Sequence, residues 1–274
     1  VAALLGGDAE LVVVSTAGDR RTDVPIWEVG GTGIFVKEVQ QAVLEGRADL
    51  AVHSAKDLPS ETAAGLVLAA VPERADPRDA LVGARLDDIP PGGRIGTGSV
   101  RRQAQLAALR PDLRFESLRG NIETRVSKAG ELDAVVVALA ALDRLGLADR
   151  VAEVLEPATM LPQVGQGALA VECRAGDAET LEPLRALDWP GARRAVDAER
   201  AFLRQLGGGC DLPCGALAAA RADRTVAIDV LLATLDGKTV LRARHEGTQP
   251  EAVGAEAARI LLDDQGGREL LVAD

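Results

Sequence analysis

Short β-rich runs alternate with helix-patterned stretches along most of this chain, and that alternation restricts the fold more than any other feature of the sequence. The runs "LVVV" (11–14), "DLAVHS" (49–54), "GLVLAAV" (65–71), "RIGTGS" (94–99), "RFESLRG" (114–120), "DAVVVALA" (133–140) and "GALAVECR" (167–174) are β-rich. Between them, "FVKEVQQAVLEG" (35–46), "VRRQAQLAALR" (100–110) and "NIETRVSKAG" (121–130) carry helical spacing. Strands separated by helices predict an α/β fold whose sheets are largely parallel or mixed. A chain of 274 residues is long for one core and suits two or three domains.

The last quarter changes character. In "GARRAVDAERAFLRQL" (191–206), Ala195, Ala198, Phe202 and Leu206 fall near helical spacing, and the glycines 207–209 supply the positive φ that stops a helix. Cys210 is therefore expected on a loop at a helix end. "TVAIDVLLATLDGKTVLRARHEG" (225–247) reads as two strands around an Asp236-Gly237 turn, and "PEAVGAEAARILLDD" (250–264) as a closing amphipathic helix. These elements predict a smaller α+β domain that carries the thiol.

Composition removes several classes. No apolar run approaches the ~18–20 residues of a membrane span. The opening "VAALLGGDAE" has neither a Met nor a basic stretch, and it reads as the tail of a helix rather than a signal peptide, with the natural N-terminus expected upstream. Three cysteines, 173, 210 and 214, are too few for a disulfide scaffold, so a reducing cytoplasm is the expectation. A net charge of −11 with 2% aromatics disfavours nucleic acid, because phosphates are repelled and bases find few stacking partners. Zinc is poorly served, since Cys-x₃-Cys is the one ligand pair and neither histidine is near it in sequence.

Two stretches look chemical. In "AVHSAKDLPS" (51–60) an apolar strand ends in His53, Ser54, Lys56 and Asp57, and polar groups at the C-terminal ends of strands in α/β sheets face the ligand crevice. Spacing alone favours a solvated turn with an Asp–Lys surface pair, and a structural role for His53. The second stretch, 94–128, holds Arg94, Arg101, Arg102, Arg110, Arg114, Arg119, Arg125 and Lys128 against Asp112, Glu116 and Glu123. Such a basic segment in an acidic protein suggests an anion site, with Arg101 and Arg102 in a first helical turn where free N–H groups add to them. The alternative is a solvated helix face. "GTGS" is too short for a nucleotide phosphate loop.

Taken together, "HSAKDLP" (53–59), "VPERADPRDALV" (71–82), "GTGSVRRQAQL" (96–106), "LRGNIETR" (118–125), "GQGALAVECR" (165–174) and "GGCDLP" (208–213) closely resemble the porphobilinogen deaminase (hydroxymethylbilane synthase) family, in order, from about residue 29 to 217. The resemblance implies a transferase of heme and tetrapyrrole biosynthesis. Such an enzyme joins four porphobilinogen units, with loss of ammonia, on a dipyrromethane cofactor held by a thioether to a cysteine, here Cys210, and releases the linear tetrapyrrole by hydrolysis without a metal. It implies Asp57 as the catalytic carboxylate, stabilising the azafulvene-like cation left when ammonia departs. Arg101, Arg102, Arg119 and Arg125 would bind the acetates and propionates of the chain. Lys56, Ser54, Thr97 and Ser99 would orient carboxylates, and Gly120, Asn121 and Gln166 would line the cleft.

The family fold has two α/β domains resembling periplasmic binding proteins and a third that bears the cysteine. It places domain 1 at 1–70 plus 167–188, domain 2 at 71–166 and domain 3 at 189–274, in an expected monomer. Three departures stand out. The family's first strand, with its own cofactor contacts, would precede residue 1. Thr32 stands where many members have Lys. Cys214 replaces an aliphatic residue, and it is expected to be a buried thiol rather than a disulfide partner of Cys210; Cys173 is expected to be structural. Two rival classes are a two-lobed receptor for a small polyanion, which would need the arginines but not Cys210 or Asp57, and a nucleic-acid or phosphoprotein surface on 94–128.

Overall fold

The structure, a computed structural model, describes residues 1–6, 9–16, 36–208 and 212–272. Its described strands form three sheets. In the first, β1 (Leu50–Ser54) and β2 (Leu66–Ala70) both pair antiparallel with β8 (Leu169–Arg174), which lies between them. The second has the order β5-β4-β6-β3-β7, from β3 (Asp79–Val82), β4 (Arg94–Gly96), β5 (Arg114–Glu116), β6 (Ala134–Ala138) and β7 (Val151–Leu155). The third is an antiparallel meander of β9 (Cys214–Ala220), β10 (Val226–Ala233) and β11 (Val240–Gly247). The chain is thus α/β over its first two sheets and α+β at its C-terminal end.

The sheets are less parallel than expected. Among the described strands, β4 runs parallel to β5 and β6, and every other pair is antiparallel. The cause is the route of the chain, which passes from the first sheet to the second along 71–78 and returns along 156–168. The strands that follow these crossings, β3 and β8, enter the interior of a sheet in reverse. "LVVV" is the other correction: residues 9–16 form no strand, and Leu11 and Val13 are 82% and 94% exposed. A β-rich run becomes a strand only where a ladder partner and a covered face exist.

β6 shows why "AVVVA" is read correctly without alternation. All five residues are buried. Ala134 and Val136 pack with Leu106 and Ile95, while Val135 and Val137 pack with Val126 and Leu142 on the other face. The helices around this sheet begin where the sequence signals them. α3 (Val100–Leu109) follows an extended Ser99, and α4 (Ile122–Ser127) is capped by Asn121, whose Oδ1 accepts from Thr124 N at 2.8 Å. Before them stand α1 (Ala2–Leu5), the helix tail expected at the start of the sequence, and α2 (Lys37–Leu44). α5 (Leu139–Arg144) and α6 (Ala178–Arg185) follow.

α7 (Pro190–Leu206) opens on proline and stops at Gly207, φ 68°. With α8 (Pro250–Arg259) it covers one face of the third sheet, where Ala198, Phe202 and Val253 meet Ile228 and Val230. The other face docks on the second sheet's layer: Leu231 and Ala233 pack on Ala104 and Leu161, and Gly237, in the expected Asp236-Gly237 turn, lies against the backbone of Ala104 to Ala108. The chain ends in a π-helical turn (Ile260–Asp264) and α9 (Arg268–Val272). β9, rich in alanine, carried no strand signal.

Candidate active site

The site begins where β1 ends. A single 3₁₀ turn, Ala55–Asp57, follows Ser54, anchored by Ala55 N donating to Ala168 O at 3.0 Å. Gly165 (φ 71°) packs so tightly on this turn that a Cβ would fall 2.9 Å from Ala55 C and 3.0 Å from Lys56 N. A Cβ on Gly167 (φ 84°) would fall 2.5 Å from Ala75 O. Only glycine tolerates both the dihedrals and the contacts. The two crossing segments therefore lie side by side against the turn, and this brings Lys56 and Asp57 from the first sheet to residues that open the second.

Asp79, at the head of β3, is the centre of that meeting, and it is completely buried. Arg101 Nη1 lies 2.8 Å from its Oδ2 and also donates to Leu161 O at 2.7 Å. Arg102 donates through Nε and Nη2 to Asp79 Oδ1 at 3.0 and 2.8 Å, and through Nη1 to Val136 O at 3.0 Å. Gln166 Nε2 donates to Asp79 Oδ1 at 3.0 Å and to Pro77 O at 2.7 Å. Burial works to raise the Asp79 pKa, but the two arginines outweigh it and hold it at about 2.

The neighbouring groups are perturbed in the opposite sense. Burial pushes Asp57 above the usual carboxylate range, against the pull of Lys56, His53 and Arg125, and burial lowers Lys56, against Asp57. Arg125 is lowered by burial and by Arg119, and its Nε donates to Gly120 O at 2.9 Å. A fully solvated surface pair would show none of this; Lys56 and Asp57 are half-buried on a turn packed against Gly165.

The basic run divides. Arg101 and Arg102 are buried beside Lys56, and Arg119 and Arg125 stand on the Asp57 side. Arg94 pairs with Glu116, Arg110 with Asp112 and Lys128 with Glu131, while Arg114 is exposed. The solvated-face reading holds for these four alone. Thr97 is buried and accepts from Ser99 N at 3.2 Å, which shapes the loop before α3. Ser54 is half-buried opposite Leu169, and Asn121 is exposed with its side-chain oxygen engaged in capping. His53 Nε2 lies 3.2 Å from Glu172 Oε2, and that oxygen accepts from Gln40 Nε2 at 2.8 Å. Cys173 and Cys214 are buried thiols. Cys210 and Thr32 lie outside the described residues.

Sequence reasoning missed two carboxylates. One is Asp79. The other is Glu199 on α7, which accepts from Arg74 Nη1 and Nη2 at 2.6 and 3.1 Å, Gly165 N at 2.7 Å and Ala218 N at 2.8 Å. Each had a signal: Asp79 heads the all-buried strand "DALV", and Glu199 shares the helical stripe of Ala195 and Phe202.

Lys56, Arg101, Arg102, Arg119 and Arg125 outnumber Asp57 and Asp79. Arg101 Nε and Nη2 and Gln166 Oε1 are buried and find no hydrogen-bond partner among the described residues. The two Arg101 donors call for an anion, while Gln166 Oε1 is an acceptor open to an N–H. A ligand carrying several carboxylates, as a dipyrromethane with acetate and propionate arms does, fits this donor set.

Comparison with known proteins agrees. Residues 1–182 match the family model "Porphobilinogen deaminase, dipyromethane cofactor binding domain", and residues 194–263 match "Porphobilinogen deaminase, C-terminal domain". The chain is 48% identical over 269 residues to the porphobilinogen deaminase of Syntrophus aciditrophicus, covering 96% of this chain and 87% of that protein. It is 48% identical over 264 residues to that of Roseiflexus castenholzii, covering 94% and 86%, and 44% identical over 265 residues to that of Brevibacillus brevis, covering 95% and 86%. With collinear motifs, two family models and this extent of identity in agreement, the chain belongs to the porphobilinogen deaminase family.

Proposed function

We propose that the buried cluster around Asp57 and Asp79 is where this chain, as a hydroxymethylbilane synthase, joins four porphobilinogen units with loss of ammonia and then releases the linear tetrapyrrole by hydrolysis. The excess of buried and half-buried cations, with two Arg101 donors lacking a partner among the described residues, is the observation that carries this reading. When bound through Cys210, a dipyrromethane supplies the nucleophilic pyrrole position at which each new unit is added.

The chain's own residues do the rest. Asp57 accepts a pyrrole N–H and offsets the positive charge that develops as ammonia leaves; in a site this desolvated, one fixed carboxylate acts far more strongly than it would in water. Lys56, Arg101, Arg102, Arg119 and Arg125 bind acetate and propionate groups. Ser54, Thr97, Ser99, Gly120, Asn121 and Gln166 shape the wall and orient those groups. In this reading 1–70 with 167–188, 71–166 and 189–274 act as three domains, and the enzyme is a cytoplasmic monomer without nucleic-acid or membrane partners. Among the described residues no helix is long and apolar enough to cross a membrane.

The test is intact-protein mass and peptide mapping of the protein supplied with porphobilinogen. A two-pyrrole adduct is expected on Cys210, with Cys173 and Cys214 unmodified. An unmodified Cys210 overturns the anchor, and with it the separation from a polyanion receptor.

A further inference from the structure

Arg101 and Arg102 are consecutive on α3, so their side chains leave the helix about 100° apart. Both nevertheless reach one carboxylate. Asp79 gives a different oxygen to each: Oδ2 to Arg101 at 2.8 Å and Oδ1 to Arg102 at 2.8 Å. Two buried guanidinium groups this close would repel one another without that charge between them.

The two arginines are held differently. Arg102 applies its side-on edge, Nε and Nη2, to Asp79 and its remaining nitrogen to Val136 O, so every nitrogen of its guanidinium has a protein acceptor. Arg101 is gripped by Nη1 alone, between Asp79 and Leu161 O. Fixing that nitrogen twice fixes the plane of the whole guanidinium. Its side-on edge, again Nε and Nη2, is left buried without a partner among the described residues. Two parallel N–H groups in that geometry match both oxygens of a carboxylate.

Asp79 is itself held. Gln166 Nε2 donates to its Oδ1 from the returning crossing segment, and Arg74 Nε donates to Gln166 O at 2.9 Å. The carboxylate therefore cannot swing away from the arginines without also breaking its hydrogen bond from the returning crossing.

We propose that Asp79 is a positioning residue, which locks the Arg101 guanidinium so that its free side-on edge receives one carboxylate of the pyrrole substrate or growing chain. The inference rests on the reading of the basic cluster as a carboxylate site. Asp79 acts through Arg101 and does not itself touch the ligand. Its negative charge acts on Arg101, Arg102 and Lys56, and Lys56 also feels Asp57.

The test is a double-mutant cycle with Asp79→Asn and Arg101→Leu, read as the second-order rate at which limiting porphobilinogen adds to the holoenzyme, followed by intact mass, with thermal melts to score folding. Arg101→Leu is expected to slow addition at least tenfold. Asp79→Asn should slow it at least tenfold in the parent, mainly through a higher KM, and less than twofold when Arg101 is already Leu. The same factor in both backgrounds, or no effect in the parent, overturns the positioning role and leaves Asp79 a stabilising ion-pair partner. Normal addition by Arg101→Leu alone would instead overturn the underlying assignment of Arg101 to a substrate carboxylate. If Asp79→Asn does not fold, Asp79→Glu replaces it in the cycle: the charge stays, its position moves by one methylene, and the same coupling to Arg101 is required.

Discussion

Glu199 and Asp79 are both sealed from solvent, and both join segments distant in sequence, yet their surroundings differ in one respect. Around Glu199 the accounting is complete: four donors, from Arg74, Gly165 and Ala218, meet two oxygens. Around Asp79 the described residues supply more positive charge than one carboxylate can answer, and two donors of Arg101 find no acceptor among them. A saturated cluster fastens structure. An unsaturated one, with the Arg101 donors and the Gln166 Oε1 acceptor unmet among the described residues, has the chemistry to receive a ligand under the proposed function.

The comparison breaks first at Glu199. Replacing it by Gln keeps the shape but sets an amide N–H₂ among N–H donors and leaves Arg74 without its counter-charge. Losing one partner of a buried pair costs about 3–5 kcal/mol, so Glu199→Gln should show a large drop in the denaturation midpoint. A midpoint equal to the parent's would mean that saturation does not mark a structural clasp.

Next in size is Asp57→Asn. Turnover should fall about 10²–10³-fold, the usual cost of removing fixed transition-state electrostatics, while preloaded Cys210 keeps its adduct. Stability should move the other way. Because burial raises the Asp57 pKa in the folded state, its ionisation opposes folding at neutral pH, and that penalty disappears as pH falls below the ordinary carboxylate value of ~3.9. Asp57→Asn should therefore be at least as stable as the parent at pH 7, with the two converging in acid. Asp79, held at about 2, has the reverse sign: its contribution is complete above ~3.9 and is lost as pH falls toward 2. Parent-rate turnover by Asp57→Asn, or melts that diverge on acidification, would remove Asp57 from the chemistry or from the interior.

Much of the site was legible in the sequence because strand ends and helix starts are local signals. "HSAKDLP" marks the end of β1, and "GTGSVRR" sets two arginines at a helix opening. What places those residues against each other was not local. Asp79 and Glu199 are two among 42 acidic residues, and whether a carboxylate is buried depends on partners as far off in sequence as Arg74 is from Glu199. The direction of β3 and β8 escaped for the same reason: alternation reveals strands, while their sense depends on how the chain crosses between sheets. "LVVV" carried the correct local pattern and found no ladder.

The smallest effect belongs to the outward half of the basic run. Arg114→Ala should leave porphobilinogen turnover within twofold of the parent and stability within about 0.5 kcal/mol, because Arg114 is exposed on β5. A large loss of turnover would mean that the division of the run into buried and exposed arginines is drawn in the wrong place.

The position of β8 between β1 and β2 also imposes an order on assembly. Among the described strands, β1 and β2 do not pair with each other; each pairs with β8 alone. Every strand of the second sheet lies between residues 79 and 155. A ribosome emitting this chain therefore releases all the described strands of the second sheet while the first still lacks β8, and β1 and β2 must wait, each with the edge that β8 will cover left open, for residues 169–174. Among the described strands, the sheet that begins earlier in the sequence is the one that closes later, and a nascent chain halted before β8 presents those two edges for a chaperone to shield.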